Sequence, residues 1–188
     1  MSTNALVIVD LQNDYFPGGA MELEGADAAC ARAGEALAEF RRRGWSVVHV
    51  RHLSVRPGAT FFLPGTPGAE IHAGVRPAPG EFVVEKNFPN SFRATDLQTR
   101  LDALDAKHLV VAGMMTHMCV DATVRQAADL GYRVTLLGDA CATRAQSYGG
   151  ESVPARQVHT AFLAALNGLY AKVLPAAEAL KTLEGGKP

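Results

Sequence analysis

An acid, a base and a thiol close three apolar runs in this chain, and together they could carry nucleophilic acyl transfer. Asp10 ends the run 6–9, Glu85-Lys86 ends the run 82–84, and Cys119 ends the stretch Gly113-Met-Met-Thr-His-Met-Cys119 that follows the run 109–111. Asp10 can take the thiol proton and return it to a leaving amine, while the Lys86 cation holds the carboxylate and favours the thiolate. Cys119 falls where the next helix is predicted to begin, and the positive end of a helix dipole lowers a thiol's pKa. Backbone N–H groups of the turn before that helix would face the developing oxyanion. Each residue also has a plain reading. Aspartates at strand ends commonly cap turns, and most lysines face water. Cys30 falls mid-helix among alanines and reads as a small core residue, and Cys141, after a later run, reads as structural.

The elements that must position these groups alternate along the chain. Residues 6–9, 47–50, 82–84, 109–111, 134–137 and 172–174 are short runs rich in β-branched residues, most of them apolar at successive positions, as strands covered on both faces should be. Helical stretches separate them. Ala33, Leu37 and Phe40 share one face before Arg41 to Arg43 and the cap Gly44, and Leu97, Leu101 and Leu104 share another behind a Thr95/Gln98 capping-box pattern. Val120, Val124 and Ala127 repeat the pattern before Gly131, an amphipathic stretch covers about 153–166, and Pro175 opens a short last helix. This alternation predicts an α/β fold, a three-layer α/β/α sandwich around a mainly parallel six-stranded sheet of Rossmann-like type. Sites in such sheets form outside the carboxyl ends of the strands, where Asp10, Lys86 and Cys119 all fall.

One segment, 53–80, breaks the rhythm. It holds five of the ten prolines together with Phe61, Phe62 and Ile71, and loops of this length are uncommon unless they serve a function, so it is read as a substrate lid or a subunit contact. A single domain over residues 1–183 with a flexible tail at 184–188 is expected.

Composition narrows the class. The 188 residues carry 18 Lys+Arg against 19 Asp+Glu and are 48% hydrophobic, too apolar for disorder and without the basic excess of a protein that grips nucleic acid. The N-terminal apolar run is broken at Asp10, too short for a signal peptide or a membrane span, so a cytoplasmic protein without membrane partners is expected. Three cysteines without a CxxC pair argue against a disulfide framework or a zinc knuckle.

Taken together, Val9-Asp-Leu-Gln-Asn-Asp14 with Gly18-Gly19, Glu85-Lys86, Val111-Ala-Gly-Met-Met-Thr-His-Met-Cys-Val-Asp-Ala-Thr-Val-Arg125 and Asp139-Ala-Cys-Ala-Thr143 resemble the isochorismatase-like cysteine hydrolases, which include nicotinamidases and N-carbamoylsarcosine amidase. The likeness covers nearly the whole chain. It implies a triad of Asp10, Lys86 and Cys119, in agreement with the strand-end reading. It further implies a non-proline cis peptide at Met114-Met115, an oxyanion hole from the amides of Met115 and Cys119, and assembly into homo-oligomers such as dimers or tetramers.

Departures from subfamily patterns narrow the substrate. Metal-dependent nicotinamidases resemble one another in an Asp-x-His stretch after the second strand; here that place reads Val50-Arg51-His52-Leu53-Ser54, without the aspartate. No metal and no cofactor are therefore expected, and His52 and His72 are read as lid or pocket residues. The cysteine, which isochorismatases that cleave a vinyl ether usually lack, implies hydrolysis of a C–N bond in a small amide, carbamoyl or ureido compound. Nicotinamidase activity and a non-catalytic ligand-binding or thiol-sensing role stay open as alternatives. Phe16, Met114, His117, Phe61 and Phe62 are candidate pocket walls. His49, His108 and His159 read as structural, and Asp121, Arg125 and Asp139 as a structural ion-pair set. A dinucleotide-binding oxidoreductase is disfavoured because no GxGxxG turn follows the first strand.

Overall fold

A computed structural model of the chain describes residues 3–183; the tail expected at 184–188 lies outside the described residues, as do positions 1 and 2. Its main sheet is built from β1 (Thr3–Val9), β2 (Ser46–His52), β3 (Phe82–Lys86), β4 (Ala106–Met114), β5 (Arg133–Ala142) and β8 (Lys172–Leu174). A hairpin of β6 (Gln146–Tyr148) and β7 (Glu151–Val153) stands apart from it. The helices are α1 (Ala26–Arg42), α2 (Leu97–Ala103), α3 (Asp121–Asp129), α4 (Ala155–Leu166) and α5 (Ala176–Thr182).

The strand order is β3-β2-β1-β4-β5-β8, and every pairing in this sheet is parallel. Along β1, Leu6 and Ile8 enter one core with α1 and α5, while Ala5, Val7 and Val9 enter a second core with Leu97, Leu101, Val120, Val124 and Leu166. Side chains alternate across a strand, so an uninterrupted apolar run requires cover on both faces. The two cores are that cover.

The chain builds β1, β2 and β3 outward in one direction, then returns to place β4 on the other side of β1. The reversal opens a crevice between the carboxyl ends of β1 and β4, the usual place for a ligand in an open α/β sheet. Gly113, at φ 137, sits there because any side chain would overlap the Val9 carbonyl. That glycine lets the two strand ends that carry Asp10 and Cys119 approach each other.

Several local expectations are corrected. β5 runs on to Ala142, so Cys141 lies inside a strand, paired in register with Gly113, rather than after it. The stretch before α4 forms the β6–β7 hairpin, and α4 begins at Ala155. Thr95 does not form a capping box with Gln98. The N-cap of α2 is Asp96, while the Thr95 hydroxyl donates to the Ser91 carbonyl at 2.6 Å. Arg125 pairs with Asp121, but Asp139 stands apart from them and accepts the Ala176 N–H at the start of α5, 2.7 Å away.

The 53–80 segment is partly core. It contains two 3-10 turns, Pro67–Ala69 and Ala73–Val75, and buries Phe62, Ala69 and Val75. Two side chains from the stretch after β1 hold it. Gln12 donates to the His52 and Ala69 carbonyls, both at 2.8 Å, and accepts the His52 N–H at 2.7 Å. Asp14 accepts the Phe62 N–H at 2.6 Å.

Candidate active site

Asp10 follows β1 in the left-handed region at φ 52, its N–H donating to the Val50 carbonyl at 3.0 Å. Aspartate tolerates that conformation better than most residues, and here it turns the carboxylate off the strand end. Lys86 is the last residue of β3, two strands away, and in register with His52. Its ammonium reaches back across β2 to within 2.7 Å of Asp10, 2.9 Å of the His52 Nδ1 and 3.2 Å of the Cys119 Sγ. Asp10, Lys86 and Cys119 are 0%, 1% and 5% exposed, so the three groups face each other with little solvent between them.

The Asp10–Lys86 contact is an ion pair without hydrogen-bond alignment, and neither Asp10 carboxylate oxygen has an aligned donor among the described residues. Burial by itself would lower the Lys86 ammonium, but its contacts with the Asp10 carboxylate first and the Cys119 sulfur second outweigh it and hold its pKa above the ordinary lysine value. Lys86 is therefore the resident cation of the site.

Cys119 does not begin an ordinary helix. It sits in a π-helical turn, Thr116–Val120, directly before α3. Burial pushes its thiol up, the Asp10 charge adds to that, and Lys86 offsets only part. The expectation of a lowered thiol pKa is thus corrected: desolvation and the Asp10 charge outweigh Lys86. The resting sulfur is a thiol, so its proton must leave as it reacts.

Two threonines anchor this turn. The Thr116 hydroxyl donates to the Ala142 carbonyl at 3.2 Å and lies 2.9 Å from the His159 Nδ1, while the His117 Nδ1 lies 2.5 Å from the Thr143 hydroxyl. The Met114–Met115 peptide just before it is cis.

A cavity of about 150 Å³ opens onto Cys119. Larger hollows of about 340 Å³ between α1, β5 and α4, and about 670 Å³ outside β3, contain none of Asp10, Lys86 and Cys119. The smaller cavity is the one with chemistry at its floor. Of the sequence-predicted walls, His52, Phe61 and Phe62 line it, as does Met115, which the family resemblance implies for the oxyanion hole. Phe16, Met114 and His117 do not. Phe16 stacks on His72 at 3.8 Å between centroids, Met114 is fully buried in the core, and His117 packs against Phe162. His72 is likewise outside the cavity, 3.4 Å from the Cys30 sulfur.

Tyr15, Ser54, Arg56, Asn87, Phe88 and Met118 line the cavity without having been singled out from the sequence. The 3-10 turn Asn13–Tyr15 puts Tyr15, one residue before the predicted Phe16, edge-on to Phe62 at 4.6 Å between centroids. Burial, above all, raises the Tyr15 phenol well above its ordinary pKa, so it stays a neutral hydroxyl beside Cys119 and Asp10. Burial and then Lys86 lower His52 to about 4, which leaves a neutral ring at neutral pH. His49 and His108 are hydrogen-bonded, to Glu81 and to Asn4 and Thr135, as structural histidines are.

Comparisons with known proteins give the family of the chain. The isochorismatase domain matches residues 4–178. An isochorismatase family protein of Bacillus subtilis (strain 168), YddQ, is 49% identical over 171 residues, 91% of this chain and 95% of the relative. The ureidoacrylate amidohydrolase RutB of Variovorax paradoxus (strain S110) is 30% identical over 74% of this chain and 68% of its own length. Among solved structures, an isochorismatase hydrolase from Oleispira antarctica superposes with a TM-score of 0.93 at 48% identity, over 96% of this chain and 97% of that one. No described helix is long and apolar enough to cross a membrane. With a parallel sheet of this topology, the isochorismatase domain matched over residues 4–178, and the Bacillus and Oleispira proteins aligned over 91% and 96% of its length, this chain is a member of the isochorismatase family of hydrolases.

Proposed function

We propose that the chain is a metal-independent cysteine hydrolase that cleaves a C–N bond of a small amide, carbamoyl or ureido compound through a thioester on Cys119. The observation that carries this reading is the buried Lys86 ammonium in contact with both the Asp10 carboxylate and the Cys119 sulfur at the floor of a cavity. The substrate carbonyl enters above Cys119. As the sulfur attacks the carbonyl carbon, Asp10 takes the thiol proton, and the amides of Met115 and Cys119 receive the oxyanion. Asp10 then passes that proton to the nitrogen, the C–N bond breaks and the amine or ammonia leaves. Water attacks the thioester while giving a proton to Asp10, the C–S bond breaks, and the thiolate regains the proton as the carboxylic acid departs.

A thiol raised by burial suits this order, because the proton leaves during the attack instead of before it. Asp10, His52 and Cys119 offer ligand-type atoms within 4.8 Å of one another, the kind of group that could hold a metal ion. Lys86 already places a positive charge among these three side chains, which supports a metal-free reaction. The ureidoacrylate amidohydrolase among the relatives supports C–N cleavage as the reaction type. The test is an ammonia-release screen across small amides, ureas and lactams with Cys119→Ala as the blank. Release that disappears in the variant while its circular dichroism is unchanged is the expected result. Release that survives at more than a few per cent of the wild-type rate overturns the nucleophile.

A further inference from the structure

We infer that Arg56 is a specificity residue and that the substrate carries a carboxylate a short distance from the bond to be cut. This rests on the reading of Cys119 as the nucleophile and adds the substrate's charge to it. Among the described residues lining the cavity, Arg56 carries the one formal charge, and none is acidic. Arg56 is exposed while Cys119 is 5% exposed, so the cation stands at the mouth and the sulfur at the floor. No described carboxylate is paired with the Arg56 guanidinium, in contrast to Arg51, which contacts Glu70 and Glu85 nearby.

The rest of the cavity sharpens the choice. Phe61, Phe62, Phe88 and Met118 give it apolar walls and Tyr15, His52, Ser54 and Asn87 add neutral polar groups, which leaves the Arg56 guanidinium at the mouth as its one cation. Arg93 lies over the Phe88 ring at 3.8 Å and adds a second positive charge next to that wall. Behind Cys119, outside the residues that line the cavity, Asp10 is balanced by Lys86, and a substrate carboxylate held at the mouth stays away from Asp10. A guanidinium presents parallel N–H donors that match the two oxygens of a carboxylate. A volume of about 150 Å³ falls below the roughly 300–1,000 Å³ of pockets for drug-sized ligands, so acyl carbon and carboxylate belong to one short molecule.

Succinamate and succinamide test this directly, because they differ only in a carboxylate exchanged for a second amide. Ammonia release is measured for both with wild type, Arg56→Gln and Arg56→Lys, against the Cys119→Ala blank. Wild type is expected to favour succinamate by about tenfold in kcat/KM, the scale of one charged hydrogen bond, with the difference carried by KM and shrinking as salt is added. Arg56→Gln should bring the ratio to about one, and Arg56→Lys should keep part of it. In parallel, both compounds are tested for protection of Cys119 against iodoacetamide, which needs no turnover. Succinamate should protect better, and only while Arg56 is present. Equal protection at any level, or a preference for succinamide, overturns the role of Arg56. Release that persists in Cys119→Ala instead overturns the nucleophile, and the protection measurement still decides for or against Arg56.

Discussion

The Lys86 ammonium lies 2.7 Å from the Asp10 carboxylate although the two residues end strands that do not touch, with β2 between them. Both groups are fully buried, so each is the other's principal compensation for lost water. Removing only the cation strands a buried carboxylate. Lys86→Met should therefore destabilise the fold by about 3–5 kcal/mol, and Asp10→Asn combined with Lys86→Met should recover most of that loss. Urea denaturation of the three variants measures it. Lys86→Met no less stable than the double variant would mean that the pair is not coupled.

The raised thiol of Cys119 makes a kinetic prediction. With burial and Asp10 opposing ionisation, alkylation of Cys119 by iodoacetamide should be slow at neutral pH and keep climbing through pH 9 without a plateau. Lys86→Ala should slow it further, because the charge that favours the thiolate is gone. Mass-spectrometric rates at Cys119 across pH decide the matter, and a plateau near pH 7 would contradict the burial argument.

Much of this site is legible in sequence for one reason: Asp10, Lys86 and Cys119 follow or end apolar runs, and a parallel sheet gathers the ends of such runs on one edge. What escapes is non-local. Arg56 and Ser54 reach the cavity because Gln12 and Asp14 hold the 53–80 segment by hydrogen bonds across 40 to 57 residues. No periodicity announces bonds of that separation. Tyr15 is displaced from the predicted Phe16 by a 3-10 turn whose phase apolar spacing does not encode. The thiol pKa follows burial, which depends on all the surrounding elements at once, whereas its position in the chain suggested only a helix start.

Histidines make the fold acid-sensitive in a defined window. His52 and His108 are held at about 4, by burial first and by Lys86 and Arg133 second, against an ordinary value of 6.5. Between those values the unfolded chain binds protons that the native one refuses, so stability is fully present above pH 6.5 and is lost as pH falls towards 4. Denaturation midpoints over that range should fall, and His52→Gln should flatten the slope. An unaltered slope would remove His52 from the account.

Chelation separates the lysine-centred site from a metal-centred one. With the Lys86 ammonium among Asp10, His52 and Cys119, EDTA should leave turnover unchanged. Lys86→Ala withdraws that cation and leaves carboxylate, imidazole and thiol within 4.8 Å of one another, so calorimetry should detect zinc binding in the variant and little in wild type. Activity lost to EDTA and restored by zinc in wild type would assign the chemistry to a metal.

Gly68 tests how the cavity wall is held. A methyl group there would run into the Asp14 carboxylate, which accepts the N–H groups of Phe62 at 2.6 Å and Ala20 at 3.2 Å. Gly68→Ala should displace Asp14, release Phe62 and loosen the aromatic wall formed with Phe61 and Tyr15. Because Asp10, Lys86 and Cys119 hang from strand ends and the π-helical turn, the reacting groups should keep their places while the substrate loses its wall. The expected signature is a KM raised about tenfold with a smaller change in kcat. A kcat that falls as far as KM rises would mean that Asp14 holds the catalytic residues themselves, and that the wall and the floor of the cavity are one unit.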